Sequence, residues 1–471
     1  MTVKQIYTGC LAHGAYYITS NGEAAIIDPL REVSPYIDRA QKDSVEIKYI
    51  FETHFHADFV SGHITLAEKT GAPIIYGPNA NPKFKAHIAT DGEIFKLGNV
   101  QIKVLHTPGH TMESTTYLLL DESGKEYAIF TGDTLFLGDV GRPDLAQKTN
   151  ELTTEDLAGL SYDSLRNKIM PLADEVIVYP AHGAGSACGK NMMKETTDTL
   201  GNQKKKNYAL RSDMTKEEFI KELTDGLLPP PGYFEFNVKM NKEGYEPIDK
   251  VLKDGLKPLS PDEFETIANE VGAVMLDVRT AKEFAQKNIP NSIFIGLDGN
   301  FAQWVGEMII DVKQPIILIV PEGREEEEVI TRLSRVGFDN SIGYLKGGIN
   351  AWKEAGKETD SVVSILATEL ESVYDSNKRN IFDVRKKSEY LSEHVQGSKN
   401  TPLAELNNYL AEYPKDKSFY IHCAGGYRSM IASSILKSRG YHNLIDVQGG
   451  YKAIAETKIP KTEFVCPTTL Q

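Results

Sequence analysis

Short apolar runs that end in polar or glycine-rich loops dominate the first two hundred residues: EAAIIDP, IKYIFETH, VQIKVLHTPGH, YAIFTGD and EVIVYPAHG. Runs of this length bounded by loop formers predict buried strands that feed loops. Between them, Pro35 to Lys42 and Gly62 to Thr70 carry helical spacing, which predicts an α/β region with sheets covered by helices. Thr215 to Gly226 predicts a further helix. The stretch LLPPPGYFEFNVKMNKEGYEP follows it, and its prolines and glycines predict an absence of regular structure. A domain edge is expected near residues 245 to 257.

Beyond that edge the sequence repeats itself. VMLDVRTAKEFAQKNIPNSIFIGL from Val274 parallels NIFDVRKKSEYLSEHVQGSKNTPL from Asn380, and KGGINAW from Lys346 parallels QGGYKAI from Gln448. Two copies of this length are duplicated α/β domains and not a solenoid. The expected domains are therefore 1–250, 258–357 and 362–471. The acidic run EGREEEEV from Glu322 reads as a solvated first helical turn, where the helix dipole favours carboxylates.

A chain of 471 residues has room for several cores at roughly 150 residues each, in line with three domains. With 52 Lys and Arg against 66 Asp and Glu, the net charge of -14 offers no basic field for nucleic acid or anionic lipid. The first residues lack a basic segment followed by an apolar run, and no 18-residue apolar stretch occurs, so a cytoplasmic protein is expected. Cys10, Cys188, Cys423 and Cys466 lie too far apart for a metal knuckle or a disulfide framework. Each is read singly, and Cys10 and Cys466 have no setting that suggests chemistry.

The segment THFHAD places His54, His56 and Asp58 directly after a strand-like run, and His110, Asp133 and His182 each end or closely follow another. Strand ends are rigid while the loops after them are free to present side chains, so such ligands can converge on one ion. His13, His87 and His106 read as structural or surface residues. The combination THxHxD, TPGH, GD and a late histidine resembles the metallo-β-lactamase fold. That resemblance implies an N-terminal αββα sandwich with the metal at one edge of its two sheets. Hydrolases of the fold carry a histidine after the aspartate, but here Phe59 stands there, which disfavours a second ion.

The persulfide dioxygenase branch of the fold is more similar still, including the GRPDL segment around Arg142 to Leu145. It implies one Fe(II) held by His54, His110 and Asp133, a face that leaves positions for O2 and a substrate sulfur. His56, Asp58 and His182 would orient ligands or bound water, with zinc the alternative metal. Cys188, six residues after His182, reads either as a small buried hydrophobe or, with Arg142, as part of a sulfur relay or substrate pocket. Lys204 to Lys206 read as a solvated helix face that could also attract an anionic thiol carrier.

In the last domain, KSFYIHC ends at Cys423 and AGGYR leads into a helical stretch. A cysteine between a strand end and a helix N-terminus meets backbone N–H groups and a positive dipole end, a setting that stabilises anionic sulfur, and Arg428 adds charge. Strand, CxxGxR loop and helix, with an earlier DVR and a later GG, resemble a rhodanese domain. Cys423 is then the implied carrier of sulfane sulfur. Phosphatase loops need five residues between Cys and Arg, and only four intervene here. In the upstream copy Val320 aligns with Cys423 and Glu325 with Arg428, so that copy is expected to be catalytically silent.

The three modules together resemble multidomain persulfide dioxygenase-sulfurtransferases of sulfide detoxification. The resemblance implies oxidation of a low-molecular-weight persulfide by O2 to sulfite and thiol, with thiosulfate made or used at Cys423. A homo-oligomer is expected, without nucleic-acid or membrane partners. The competing expectation is a zinc thioester hydrolase of the glyoxalase II kind carrying rhodanese modules.

Overall fold

The computed structural model describes residues 1–145, 152–227, 229–321, 323–374 and 380–466. Glu322, at the head of the acidic run, and residues 467–471 of the third expected domain lie outside the described residues. The chain divides into two units, the first comprising Met1–Lys250 together with Leu333–Phe338.

The first unit is built on two six-stranded sheets. One runs β1 (Thr2–Thr8), β2 (His13–Ser20), β3 (Glu23–Ile27), β4 (Glu46–Phe51), β5 (Ile74–Tyr76) and β6 (His87–Ile88), in chain order across the sheet. The other holds β7 (Ile94–Leu97), β8 (Val100–His106), β9 (Thr115–Leu120), β10 (Glu126–Gly132), β11 (Ile177–Pro180) and β12 (Asp198–Thr199), again in chain order. Alternation along the strands divides their side chains between two faces. Ala25, Ile27, Ile102, Val104 and Phe130 pack between the sheets. Ala24, Ile26 and Ile50 instead meet Val33, Tyr36, Ala40 and Leu66 of the helical layer, from helices Ser34–Asp43 and His63–Thr70 and the turn before the first. Leu118, Ile129 and Val178 meet Ala158, Leu200 and Phe219 on the opposite side. The result is the expected αββα sandwich.

Both early helices lie where the spacing put them, and helix Lys216–Thr224 begins at Thr215 in a reciprocal cap with Glu218. The stretch read as irregular is corrected. Residues Phe234–Glu243 form a helix closed by Gly244, because the prolines at 229–231 lie ahead of it and no Pro or Gly interrupts it.

The second unit repeats one topology. The first sheet, β13 (Pro258–Leu259), β14 (Val274–Asp277), β15 (Ile293–Phe294), β16 (Ile316–Ile319) and β17 (Ser341–Leu345), has the order β13-β17-β16-β14-β15. The second, β18 (Ser364–Ile365), β19 (Ile381–Asp383), β20 (Lys399–Asn400), β21 (Phe419–His422) and β22 (Leu444–Val447), has the matching order β18-β22-β21-β19-β20. Every pairing in them is parallel. The acidic run enters helix Glu326–Ser334, whose first turn holds three glutamates.

Candidate metal centre and sulfur-carrier loop

The six predicted metal-site residues sit on strand ends, and all are buried. His54, His56 and Asp58 follow β4, His110 lies in the β8–β9 loop, Asp133 follows β10 and His182 follows β11. His54, His110 and Asp133 bring one ligand atom each within 4.8 Å of one another, as do His56, Asp58 and His182. Asp133 lies at the centre. Its Oδ2 is 3.9 Å from His54 Nε2 and 3.5 Å from His110 Nε2, while its Oδ1 is 3.5 Å from His182 Nε2. Neither carboxylate oxygen of Asp133 has a hydrogen-bond partner among the described residues. A buried carboxylate left bare and ringed by imidazoles fits a cation, since uncompensated burial of that charge is costly.

The outer nitrogens are fixed. His54 Nδ1 lies 3.0 Å from Thr53 Oγ1, which donates to Asp28 at 2.9 Å. His110 Nδ1 faces the Arg142 carbonyl at 2.7 Å, which directs Nε2 toward Asp133. Gly141 makes this approach possible, for a Cβ there would lie 2.1 Å from the Asp133 carbonyl oxygen and 3.0 Å from His110 Nδ1. Arg142 thus serves through its backbone, while its guanidinium pairs with Asp144 at 2.7 Å.

Burial, reinforced by the neighbouring imidazoles, holds His54 well below the ordinary histidine range. His182 goes the other way: burial disfavours its charge, but Asp58 and Asp133 overcome it. Asp58, despite burial, is held at about 2 by His182. Cys188 joins this group, its ligand atom within 4.8 Å of those of Asp133 and His182. Burial, with Asp58 and Asp133 adding to it, pushes its thiol up to about 12, so it is neutral near pH 7.

Phe59 is fully buried and packs on His13 and His56, with ring centroids 4.2 and 4.4 Å away. His13, read from the sequence as a structural or surface residue, is buried beside His56 and His182 and pushed down to about 3 by burial and those histidines. Sequence reasoning missed Asn241, on the helix it did not foresee. Asn241 donates to the His56 and Phe59 carbonyls, both at 2.8 Å, and accepts from the Ser61 N–H at 2.9 Å, clamping the ligand loop. Only a polar residue in an otherwise helical pattern signalled it. Cys10 is half-buried, with Arg335 Nη1 3.6 Å from its sulfur. Lys204 pairs with Asp174 at 2.6 Å, on a short helix.

In the second unit Cys423 is buried at the end of β21, and Gly426 N–H donates to its sulfur at 3.1 Å, at the start of helix Tyr427–Ser438. Arg428 forms a bidentate pair with Glu389 at 2.6 and 2.8 Å, so its charge is partly offset there. Asp383 and Arg385 make a buried fork in the DVR motif, matched by Asp277 and Arg279 upstream. Val320 occupies the end of β16, as the alignment predicted, and Glu325 is exposed.

Residues 8–182 match the family model described as metallo-beta-lactamase superfamily, and 260–355 and 366–457 match that of the rhodanese-like domain. A probable hydroxyacylglutathione hydrolase of Schizosaccharomyces pombe is 32% identical over 34% of this chain, which spans 59% of that relative's length. Human mitochondrial persulfide dioxygenase ETHE1 is 28% identical over 46% of this chain and 78% of its own. A crystal structure of a metallo-beta-lactamase from Staphylococcus aureus subsp. aureus COL is 31% identical with a TM-score of 0.63, covering 74% of this chain and 99% of that one.

Proposed function

The chain belongs to the metallo-beta-lactamase superfamily through its N-terminal domain and carries two rhodanese-like domains, and from that premise we propose that it is a persulfide dioxygenase coupled to a sulfurtransferase. His54, His110 and Asp133 would hold one iron, whose chemistry when bound is the reduction of O2 at the expense of a sulfur substrate. Overall, a persulfide RSSH, O2 and water give RSH and sulfite. Cys423 persulfide then passes its outer sulfur to sulfite, giving thiosulfate and the Cys423 thiolate, or the reverse exchange loads it. Fusion raises the local concentration of the shared sulfur species.

The observation that carries this reading is the three-residue face at Asp133 Oδ2 in a site where Phe59 fills the position next to Asp58 with a packed ring. Thr53 and the Arg142 carbonyl orient the two imidazoles, and Asn241 holds the backbone between them. Cys188, buried with its sulfur beside Asp133 and His182, lines the site.

A second reading, thioester hydrolysis with two zinc ions, is favoured by the group His56, Asp58 and His182 on the other side of Asp133 and by the hydroxyacylglutathione hydrolase relative. Metal analysis of anaerobically purified protein separates the two. One iron per chain, rising to two metal ions in Phe59→His, supports the dioxygenase; two zinc ions in the wild type would sink it.

A further inference from the structure

The loop from Cys423 to Arg428 is held from both modules. Tyr451 N–H donates to the Cys423 carbonyl at 2.6 Å and Lys452 N–H to the Ala424 carbonyl at 3.0 Å, so helix Gly450–Ala455 of the same module pins the entry half. The exit half is tied to the same module by the bidentate Arg428–Glu389 pair, and another tie starts at Tyr427, which lies between the sulfur-facing N–H of Gly426 and Arg428. The Tyr427 hydroxyl donates to the Gly296 carbonyl at 2.7 Å, and that carbonyl belongs to the module without a thiol.

The surroundings of this contact form a seat. The Tyr427 ring meets Phe294 edge-on at 5.8 Å, and Gly299 leaves the space the ring fills, since a Cβ there would lie 2.4 Å from it. A second tie runs alongside, from Phe294 N–H to Ser434 Oγ at 3.0 Å. The seat is itself rooted in the silent copy's DVR segment: Ile295 N–H donates to the Asp277 carbonyl and Leu297 N–H to the Val278 carbonyl, both at 3.0 Å. Arg332 Nη1 donates to the Leu297 carbonyl at 2.9 Å. In the thiol-bearing copy the positions matching Gly296 and Gly299 are Pro402 and Glu405.

We propose that the silent module is the positioning platform of the sulfur-carrier loop, acting through Tyr427 as a positioning residue that holds the Gly426 N–H on the Cys423 sulfur. This rests on the reading of Cys423 as the sulfur carrier. The buried Asp277–Arg279 fork, common to both copies, anchors the strand end from which the seat hangs. The sulfur is thereby oriented from one side by its own domain and from the other by its duplicate.

The test uses the full chain as wild type, Tyr427→Phe and Gly299→Ala. Three quantities are read: the rate at which iodoacetamide alkylates Cys423, followed on its peptide; kcat and KM for transfer from thiosulfate to cyanide; and the melting midpoint. Loss of one neutral hydrogen bond predicts that Tyr427→Phe slows alkylation and kcat about fivefold, with KM unchanged and only a small fall in the melting midpoint that leaves the protein folded at the assay temperature. Gly299→Ala, made only in the silent module, is expected to slow both at least as much. Wild-type alkylation and kcat in both variants would overturn the proposal, as would losses that merely track a fall in folded protein. A wild type that makes no thiocyanate would refute the sulfur-carrier reading instead, and the alkylation rates would still decide whether the seat orients the loop.

Discussion

The two rhodanese-like modules have the same sheet order, the same buried Asp–Arg fork and the same pair of left-handed glycines, yet only one ends its central strand in a thiol. Val320 and Cys423 occupy matching strand ends; around Cys423 stand Gly425, Gly426 and Arg428, around Val320 the acidic run. The shared features are therefore those of the scaffold. The fork ties the end of β14 or β19 to the loop after the next helix, as Arg279 and Arg385 both donate to a carbonyl eight residues on, at 2.8 Å. The thiol is confined to one loop, and the copy without it keeps the same sheet order.

That comparison can be broken in several ways. Cys423→Ser should reduce sulfur transfer to background, and Val320→Cys should not create it, because Pro321 and Glu322 stand where Ala424 and Gly425 do and Glu325 stands where Arg428 does; thiocyanate formation measures both. Asp383→Asn and Asp277→Asn should each destabilise their module by about 3–5 kcal/mol, since each leaves a buried guanidinium without its partner. Equal losses in urea titrations would bear out a common scaffold, and a loss confined to the thiol-bearing copy would refute it.

A third difference is Asp446, which burial pushes up to about 6 and which matches Tyr344 in the silent copy. Because its folded value lies above the ordinary one, its contribution is fully present below about pH 4 and is lost as pH rises through about 6. Asp446→Asn should therefore stabilise the protein at pH 8 by about 3 kcal/mol and leave it nearly unchanged near pH 4, as read from denaturant midpoints at the two pH values. The smallest effect separates two glycines of equal conformation. Gly450 (φ 56°) and Gly348 (φ 57°) both suffer left-handed strain as alanine, about 1–2 kcal/mol. Only at Gly450 does the new Cβ also meet a backbone atom, the Cys423 carbonyl oxygen at 2.3 Å, against 3.6 Å from the Val320 carbonyl oxygen at Gly348. Gly450→Ala should accordingly cost more than Gly348→Ala and should alone slow sulfur transfer.

What the sequence disclosed was local in nature. Strand ends carrying His54, His110, Asp133 and His182 could be read because an apolar run and the residue after it are neighbours in the chain. The valine in place of the thiol could be read because duplication supplies its own alignment. What could not be read depends on packing between distant segments. Asn241 reaches the His56 carbonyl from 185 residues away, on a helix that the preceding prolines concealed. Gly141 matters through a clearance of 2.1 Å, and Tyr427 through a carbonyl 131 residues upstream. No periodicity encodes such contacts. His13 was set aside because a lone histidine at the start of a strand carries no signal, and only the fold sets it against Phe59.

The central proposal is that the site of His54, His110 and Asp133 serves oxidation of a small persulfide to sulfite and that Cys423 passes its sulfur to that sulfite. Its most direct test is O2 uptake by Fe(II)-loaded full-length protein given glutathione persulfide, with sulfite and thiosulfate assayed together. The account predicts uptake that is abolished in His110→Ala, and thiosulfate that disappears in Cys423→Ser while sulfite persists. A fully metallated protein that consumes no O2 with any small persulfide, but hydrolyses a glutathione thioester, would contradict it.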